Sequence, residues 1–288
     1  MSVAELKVDA RAELGEGPVW DDRTNTVVWV DIPTGQVHRY DPLDGHDEVI
    51  YQALTNVGCV ALHQDGLLIA AGLQLLVVRD NGSVVDLAEV RDALPGHTFN
   101  DGAVDPQGRM VVGTVGPTED TPTGRLYRLE HDGSTSVLLD GLMISNGLDW
   151  SIDNSTMYFI DSPQRLVQFF DYGDALTNRQ AYVACAPPGV PDGLCIDAEG
   201  CAWIAMYGAG CVVRFDPTGN QLATIELPVS QVTSCCFGGT DLDLLYISTA
   251  SENFTSEQRQ SEPYAGGLFL AAPNVRGRTA RRCLTSLR

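Results

Sequence analysis

Four oxygen-bearing side chains recur along the chain at a nearly constant spacing: Glu16, Asn100, Asn146 and Asp192. Two weaker copies of the same pattern carry Gly58 and Thr233 at the aligned position. The steps between the six successive positions are 42, 42, 46, 46 and 41 residues. Two carboxylates and two amides brought to one point would repel or stay unpaired without a counter-charge. The pattern therefore predicts a site for a divalent cation.

A simpler interpretation is open for each of these residues taken alone, because Asn and Asp often cap the backbone at the start of a strand. The shared repeat position favours a common site instead. The five histidines share no such position, which disfavours a histidine-based centre. A set of oxygen ligands favours a hard cation such as Ca²⁺, Mg²⁺ or Mn²⁺ over a structural zinc ion.

The elements that would position these residues are short β-strands bounded by turn residues. Clear examples are the runs at residues 26–31, 36–40, 48–51, 110–115, 156–160 and 202–206. Six copies of four strands, at a period of about 45 residues, predict an all-β, six-bladed β-propeller with antiparallel blades. A propeller places the starts of its inner strands around one end of a central channel, where the four side chains would meet.

The ends of the chain bear on how the ring closes. The last repeat lacks a clear fourth strand, and residues 6–9 form a spare strand with no repeat of their own. Pairing the two would close the ring and protect an exposed strand edge. Residues 282–285 are the alternative donor. We expect one propeller domain over residues 1–288, closed by a terminal strand.

Composition limits the partners and the cellular location. The formal net charge of −20 disfavours nucleic acid and anionic membranes, because both bind basic surfaces. The N-terminus lacks the pattern of a secretory signal, and no apolar run reaches the roughly 18 residues of a membrane span. Eight cysteines without a Cys-x-x-Cys spacing indicate buried, reduced thiols in a cytoplasmic protein. The basic run at residues 276–282 is interpreted as a solvated terminus, and the oligomeric state stays open.

Four segments around the recurring residues resemble the motifs of one family. They are Gly15-Glu16-Gly17-Pro18-Val19-Trp20, Phe99-Asn100-Asp101-Gly102, Ile144-Ser145-Asn146-Gly147-Leu148-Asp149-Trp150-Ser151 and Pro191-Asp192-Gly193-Leu194-Cys195-Ile196-Asp197. In this order they resemble the SMP-30/gluconolactonase/luciferin-regenerating-enzyme (regucalcin-like) family. The resemblance runs over nearly the whole chain, and it is more specific for the family than for a substrate.

The resemblance implies a six-bladed propeller with one divalent metal ion at the channel mouth and, for most members, hydrolysis of sugar lactones. Carried over by position, Glu16, Asn146 and Asp192 are the metal ligands, and Asp192 is also the catalytic general base. Asn100 is the residue that contacts the substrate. The family's sites imply Ca²⁺, Zn²⁺, Mn²⁺ or Fe²⁺ as the metal, and Ca²⁺ suits the ligand types best.

Two departures from the family concern the substrate. Animal relatives carry an Arg two residues before the motif's Asn, where this chain has Thr98, and a hydroxyl cannot replace a guanidinium group. The loop at residues 116–124 is shorter than in regucalcin, is placed between the first and second strands of blade three, and could act as a lid. Glu119 in this loop either binds substrate hydroxyls or is a solvated acid.

The predicted function is a metal-dependent, gluconolactonase-like hydrolase that opens a sugar lactone to its aldonic acid. Asp192 would take a proton from the attacking water while the metal stabilises the developing oxyanion. Two alternatives stay open. One is a phosphotriesterase-like hydrolase on the same scaffold, and the other is a non-catalytic, calcium-binding propeller.

Overall fold

The computed structural model describes residues 4–118 and 120–287. Its strands form six small antiparallel sheets. In each sheet one strand lines the channel, and we call it the inner strand. Each inner strand contacts the inner strand of the next sheet along the chain. The last of these inner strands contacts the first, so the ring closes around a central channel. This arrangement confirms the predicted six-bladed β-propeller. That the whole chain forms one domain stays a prediction.

The chain begins with strand β1 (Glu5–Val8), which belongs to blade six. Blade one consists of β2 (Gly15–Asp21), β3 (Thr26–Asp31), β4 (Gln36–Asp41) and β5 (His46–Gln52). Blade two consists of β6 (Val57–His63), β7 (Gly66–Ala71), β8 (Gln74–Arg79) and β9 (Val84–Glu89). Blade three consists of β10 (Thr98–Val104), β11 (Met110–Val115), β12 (Gly124–Leu129) and β13 (Thr135–Leu142). Blade four consists of β14 (Ser145–Trp150), β15 (Thr156–Asp161), β16 (Leu166–Asp171) and β17 (Thr177–Ala184). A 3₁₀ turn, Ser162–Gln164, follows β15.

Blade five consists of β18 (Val190–Ile196), β19 (Ala202–Tyr207), β20 (Cys211–Phe215) and β21 (Gln221–Glu226). Blade six consists of β22 (Val232–Gly238), β23 (Leu244–Thr249), β24 (Leu268–Ala271) and β1. The short helix α1 (Ser256–Ser261) lies between β23 and β24 and begins with a capping box formed by Thr255 and Gln258. A last strand, β25 (Arg282–Cys283), pairs outside blade six.

Burial explains why the strands differ in composition. The second strands pack on both faces against neighbouring blades, and β3 and β7 are buried along their whole length. Strands buried on both faces read as continuous apolar runs. The outermost strands face solvent and carry more polar residues, as in β5 and β17. The apolar core therefore lies between blades and leaves the channel to the inner strands.

Every inner strand has an irregular register at its start, where the recurring polar residues stand. In β2 the pairing with β3 shifts between Glu16 and Val19, and in β14 the pairing with β15 shifts between Ser145 and Leu148. The other four inner strands shift at the aligned place. A bulge re-aims side chains and increases local twist. The repeat therefore reproduces one local backbone distortion six times around the channel.

Close packing of the inner strands requires glycine beside this distortion. A Cβ atom on Gly147 would lie 2.5 Å from the carbonyl oxygen of Asp192 in the next blade. Any larger residue would push the two inner strands apart. Gly147 therefore allows the inner strands of blades four and five to pack closely at this point.

The two chain ends behave differently. Strand β1 pairs with β24 and completes blade six, which confirms closure by the N-terminal strand. The alternative, closure by residues 282–285, is wrong. Strand β25 instead pairs in parallel with β6, the inner strand of blade two. The loop at residues 116–124 lies between β11 and β12, the second and third strands of blade three, so its predicted place one strand earlier is also wrong. The error arose because the segment around Asn100 is itself the first strand.

The basic tail is not a solvated terminus. Arg278 Nη2 lies 2.9 Å from Asp149 Oδ2, and Arg281 Nη1 lies 3.3 Å from Asp149 Oδ1. Arg282 Nη2 lies 2.7 Å from Asp21 Oδ1 in blade one. All three guanidinium groups are less than one-third exposed. The tail therefore runs across several blades, and our interpretation of it was wrong because its ion pairs join residues far apart in the chain.

Two other sequence predictions have structural outcomes. All eight cysteines are free. Five of them are buried and three, Cys195, Cys211 and Cys236, are half-buried, so the prediction of buried thiols holds for most of them. In the part of the chain described, no helix has the length and apolar character needed to cross a membrane. A cytoplasmic location stays a prediction.

Replacing Asp149 tests how strongly the tail ties the blades together. Asp149→Ala removes the partner of two arginines and of the Ile196 N–H, and it leaves half-buried charges unpaired. We expect the free energy of unfolding to fall by about 2–3 kcal/mol, measured by urea denaturation. Asp9→Ala, which removes an exposed pair with Arg11, should leave the midpoint almost unchanged. Equal midpoints for the two variants would show that the tail contributes nothing.

Candidate metal centre

The four recurring polar residues stand at the same end of the channel, which we call the mouth. Glu16, Asn146 and Asp192 are buried, with 6%, 7% and 6% of their surfaces exposed, and Asn100 is half-buried. Each stands at the second or third position of its inner strand, in β2, β10, β14 and β18. Because all the inner strands begin at the same rim, the ring brings together the residues that the repeat had aligned.

The two remaining aligned positions do not add ligands. A Cβ atom on Gly58 would lie 2.5 Å from the carbonyl oxygen of Asn100, so this position is backbone packed against backbone. The Thr233 hydroxyl lies 2.6 Å from the carbonyl oxygen of Gly15 and is fully buried. It serves the contact between blades six and one.

A directed chain of hydrogen bonds holds the two amides. Asn100 Nδ2 donates to the carbonyl oxygen of Ser145 at 2.9 Å and to Asn146 Oδ1 at 2.9 Å. Asn146 Nδ2 donates to Ser162 Oγ at 2.8 Å. Ser162 Oγ donates to the carbonyl oxygen of Pro191 at 2.6 Å. We call these four bonds the amide relay; it joins blades three, four and five.

The direction of the amide relay follows from its two ends, because both are backbone carbonyl oxygens and carbonyl oxygens only accept. Ser162 must therefore donate to Pro191 and can only accept from Asn146. Both N–H groups of Asn100 Nδ2 are used, so its oxygen is the atom left to contact a cation or a substrate hydroxyl. Asn146 Oδ1 keeps one lone pair beyond its bond to Asn100.

The carboxylates at the mouth carry charge that the protein penalises. Burial, and then the negative charge of Asp101, raise the pKa of Glu16 well above its ordinary value. Glu252 acts in the same direction, while the Gly17 N–H donates to Glu16 Oε2 at 2.8 Å and opposes them. Burial also raises the pKa of Asp101 to about 6. A positive charge placed here would stabilise the ionised forms.

Asp101 is a charged residue at this centre that the sequence reasoning missed. It lies directly after Asn100 in the Phe99-Asn100-Asp101-Gly102 motif, so the motif contained the signal. Alternation along a regular strand would send neighbouring side chains to opposite faces. The bulge at this point overrides that alternation.

The donor set fits a hard divalent cation. Glu16 and Asp192 offer carboxylate oxygens, and the amide relay leaves the amide oxygens of Asn100 and Asn146 as acceptors. Over residues 4–118 and 120–287, no group of three or more His, Cys, Asp or Glu residues could hold a metal ion. Carboxylate and amide oxygens together form an oxygen-rich set of the kind that suits Ca²⁺, Mg²⁺ or Mn²⁺.

The surroundings of the mouth would meet a substrate. Thr98 Oγ1 donates to the carbonyl oxygen of Gly72 at 3.2 Å, which ties the side chain to blade two. Tyr207, at the end of β19, donates its hydroxyl to Glu252 Oε1 at 2.8 Å. The loop after β11 is held at its far end by Thr123, whose hydroxyl lies 3.0 Å from His97 Nε2. Glu119 lies outside the described residues.

The opposite end of the channel is covered by the basic tail. The lining of a cavity of about 410 Å³ includes Gly17, Asp101 and the tail segment 278–281. None of the four recurring residues lines it.

The chain can now be compared with known proteins. A family model described as an SMP-30/Gluconolactonase/LRE-like region matches residues 14–251. Regucalcin of Xenopus laevis is 37% identical over 277 residues, or 92% of each chain. The chain belongs to the SMP-30/gluconolactonase/LRE-like family. This confirms the resemblance described in the sequence analysis.

Two further members of the SMP-30/gluconolactonase/LRE-like family are informative. The sugar lactone lactonase candidate YvrE of Bacillus subtilis (strain 168) is 36% identical, over 93% of this chain and 94% of its own. The crystal structure of the calcium-binding protein regucalcin from Agrobacterium tumefaciens str. C58 superposes with a TM-score of 0.93 at 27% identity. That match covers 98% of this chain and 97% of the other.

The raised pKa values at the mouth predict how stability depends on pH when the protein is kept free of divalent metal by a chelator. Between about pH 4 and pH 6 the folded protein binds more protons at Asp101 than the unfolded chain does, so stability falls as pH rises through this window. Glu16 has the same sign. We expect Asp101→Asn to reduce the fall, measured as the difference in free energy of unfolding between variant and parent across pH 4–7.

Adding Ca²⁺ should shrink the fall in the parent protein, because the cation stabilises the ionised carboxylates. The prediction fails if parent and Asp101→Asn show parallel pH profiles under chelation.

Proposed function

We propose that the protein is a divalent-metal-dependent hydrolase that opens a sugar lactone to its aldonic acid. The observation that supports the proposal is that Glu16, Asn146 and Asp192 are buried at equivalent positions near the starts of three inner strands, in a chain of the SMP-30/gluconolactonase/LRE-like family. In this proposal these three residues hold the cation. Ca²⁺ is the first choice, and Zn²⁺, Mn²⁺, Mg²⁺ and Fe²⁺ are candidates for the assay.

The bound cation would supply a positive charge that stabilises the negative charge developing on the lactone carbonyl oxygen. Asp192 accepts a proton from the attacking water as the new C–O bond forms. The bond from the carbonyl carbon to the ring oxygen then breaks, and that oxygen takes the proton held by Asp192 and leaves as a hydroxyl. The product is a hydroxy acid, and atoms and charge balance without a further co-reactant.

Asn100 has a narrower role than a general hydrogen-bonding residue. Since both of its N–H groups are used in the amide relay, only its oxygen can face the substrate, and that oxygen accepts from a hydroxyl. A substrate that carries hydroxyl groups next to the reacting carbonyl suits this acceptor. A simple alkyl lactone offers no such donor.

The decisive experiment is a pH-indicator assay over a panel of aldonolactones, with chelated protein re-supplied with one metal at a time. We expect turnover that is lost on chelation and restored by at least one of the five metals. Phosphotriesters are assayed in parallel. Turnover of phosphotriesters alone would favour the phosphotriesterase-like alternative, and metal binding without turnover of either class would favour a non-catalytic calcium-binding propeller.

Two substitutions separate the general base from the other ligands. Asp192→Ala should lower kcat on the best lactone by at least about 10²-fold, even at saturating metal, because the proton acceptor is gone. Asn146→Ala should chiefly raise the metal concentration needed for half-maximal activity. Thermal unfolding of both variants checks that they are folded. Full activity of Asp192→Ala in the chelated state would refute the mechanism.

The charge at the mouth also bears on the substrate. Glu252 is half-buried, accepts the Tyr207 hydroxyl, and lies close enough to Glu16 to raise the pKa of that carboxyl. A single divalent cation neutralises Glu16 and Asp192 and leaves Asp101 and Glu252 as additional negative charges. We therefore propose that the preferred lactone is uncharged and that the anionic product is repelled from the mouth.

Glu252→Gln tests this preference. The substitution keeps an acceptor for Tyr207 and removes the charge, so the ratio of kcat/KM for a carboxylate-bearing lactone to kcat/KM for an uncharged one should rise roughly five-fold. Glu226→Gln, an exposed change on the outermost strand of blade five, is the matched control and should leave the ratio unchanged. An equal ratio in parent and Glu252→Gln would rule out charge selection at this residue.

A further inference from the structure

Ser162 occupies an unusual place beside the candidate metal centre. It is 4% exposed, begins the 3₁₀ turn after β15, and belongs to no motif that the sequence analysis singled out. Its hydroxyl accepts from Asn146 Nδ2 at 2.8 Å and donates to the carbonyl oxygen of Pro191 at 2.6 Å. It therefore touches one proposed ligand and the residue directly before another, Asp192.

The position of Ser162 is well fixed by its neighbours. Its backbone N–H donates to the carbonyl oxygen of Ile144 at 3.2 Å. The preceding Asp161 accepts from the Ile144 N–H at 2.9 Å and from Gln164 Nε2 at 2.6 Å. The hydroxyl is thus presented to Asn146 from a rigid turn, and its orientation is set by a carbonyl oxygen that can only accept.

Blade one offers a comparison within the same chain. Asp31 accepts from the Leu14 N–H at 3.0 Å, as Asp161 does from Ile144, and the next residue donates its N–H to the carbonyl oxygen of Leu14 at 3.0 Å. That next residue is Ile32, which is buried and has no hydroxyl. The same backbone construction therefore carries serine next to Asn146 in blade four and isoleucine at the equivalent position in blade one, the blade of Glu16.

The difference follows from the chemistry of the two ligands. Both side-chain ends of a carboxylate are oxygens, so either orientation of Glu16 offers an oxygen to a cation. An amide has one oxygen and one NH₂ group, and only the oxygen can bind a cation. Asn146 therefore needs partners that select one of its two orientations. Asn100 donates to its oxygen, and Ser162 is an acceptor placed where the NH₂ group must go.

We propose that Ser162 is a positioning residue that holds the Asn146 amide with its oxygen toward the channel and so raises the affinity of the mouth for a divalent cation. This inference rests on the metal role of Asn146 in the proposed function. Partners that orient metal ligands in this way typically change metal affinity 10–100-fold when they are removed.

The test measures binding of Ca²⁺ and Mn²⁺, each alone, to chelator-treated full-length protein by isothermal titration calorimetry. Ser162→Ala should raise the dissociation constant about 10-fold or more. Thr114→Val is the matched control, because the Thr114 hydroxyl is also buried and also accepts from an N–H, of Arg125, and donates to a carbonyl oxygen. It should change the dissociation constant less than about three-fold.

A double-mutant cycle separates orientation of the amide from packing. In an Asn146→Asp background both side-chain ends are oxygens, so orientation no longer matters and Ser162→Ala should change the dissociation constant less than about three-fold. An equally large loss in both backgrounds would show that Ser162 acts only through packing and would overturn the proposal. So would an unchanged dissociation constant in the single variant.

The same experiment distinguishes failure of this inference from failure of the proposed function. If the parent protein binds neither of these cations, nor Zn²⁺, Mg²⁺ or Fe²⁺ in the same titration, the metal-dependent function itself is contradicted, and the positioning role of Ser162 falls with it. If the parent binds and Ser162→Ala binds equally well, only the role of Ser162 is contradicted.

Discussion

The structure depends on one electrostatic constraint: carboxylates are buried together at the rim of a narrow channel. Glu16 and Asp192 are both more than nine-tenths buried, and Asp101 and Glu252 add negative charge near Glu16. A ring of six inner strands produces this situation by geometry alone, because equivalent positions of a repeat converge on one axis. Because the buried carboxylates repel one another, binding of a cation between them is electrostatically favourable. The repeated bulges then determine which side chains reach the axis.

The amide relay shows how the protein meets this constraint without adding more charge. Replacing two of the four polar residues by further carboxylates would increase the repulsion. Amides supply oxygens at no charge, but they must be oriented, and orientation requires partners of fixed polarity. The relay obtains that polarity from two backbone carbonyl oxygens, those of Ser145 and Pro191. Blades three to five are thereby coupled, so the geometry of the centre is a property of the ring rather than of one blade.

Much of the fold was predictable because a propeller repeats the same pattern of short strands and turn residues in every blade. The strand runs at residues 26–31 and 110–115 match β3 and β11. The phase of the repeat was enough to assign Glu16, Asn100, Asn146 and Asp192 to equivalent positions near the starts of four inner strands. The sequence did not predict two kinds of feature: the backbone bulges in the inner strands and the ion pairs between residues far apart in the chain. The bulges break the strand alternation that sequence reasoning assumes, which hid Asp101. The partners of Arg278 and Arg281 lie more than 120 positions away, and no local pattern reveals them.

The two ends of the channel differ in what they leave free to vary. The base is closed by the tail, whose arginines join separate blades through Asp149 and Asp21, so change there affects stability first. At the mouth, the bulged starts of the inner strands lie next to the loops that follow the second strands. Thr98, Tyr207 and Glu252 stand on that rim, outside the set that would hold a cation. A substitution among them would change the shape and charge of the surface that faces a substrate, and it would leave the register of the inner-strand bulges unchanged. Family membership therefore says more about the candidate metal centre than about the substrate. In the function that we propose, the rim residues select the lactone.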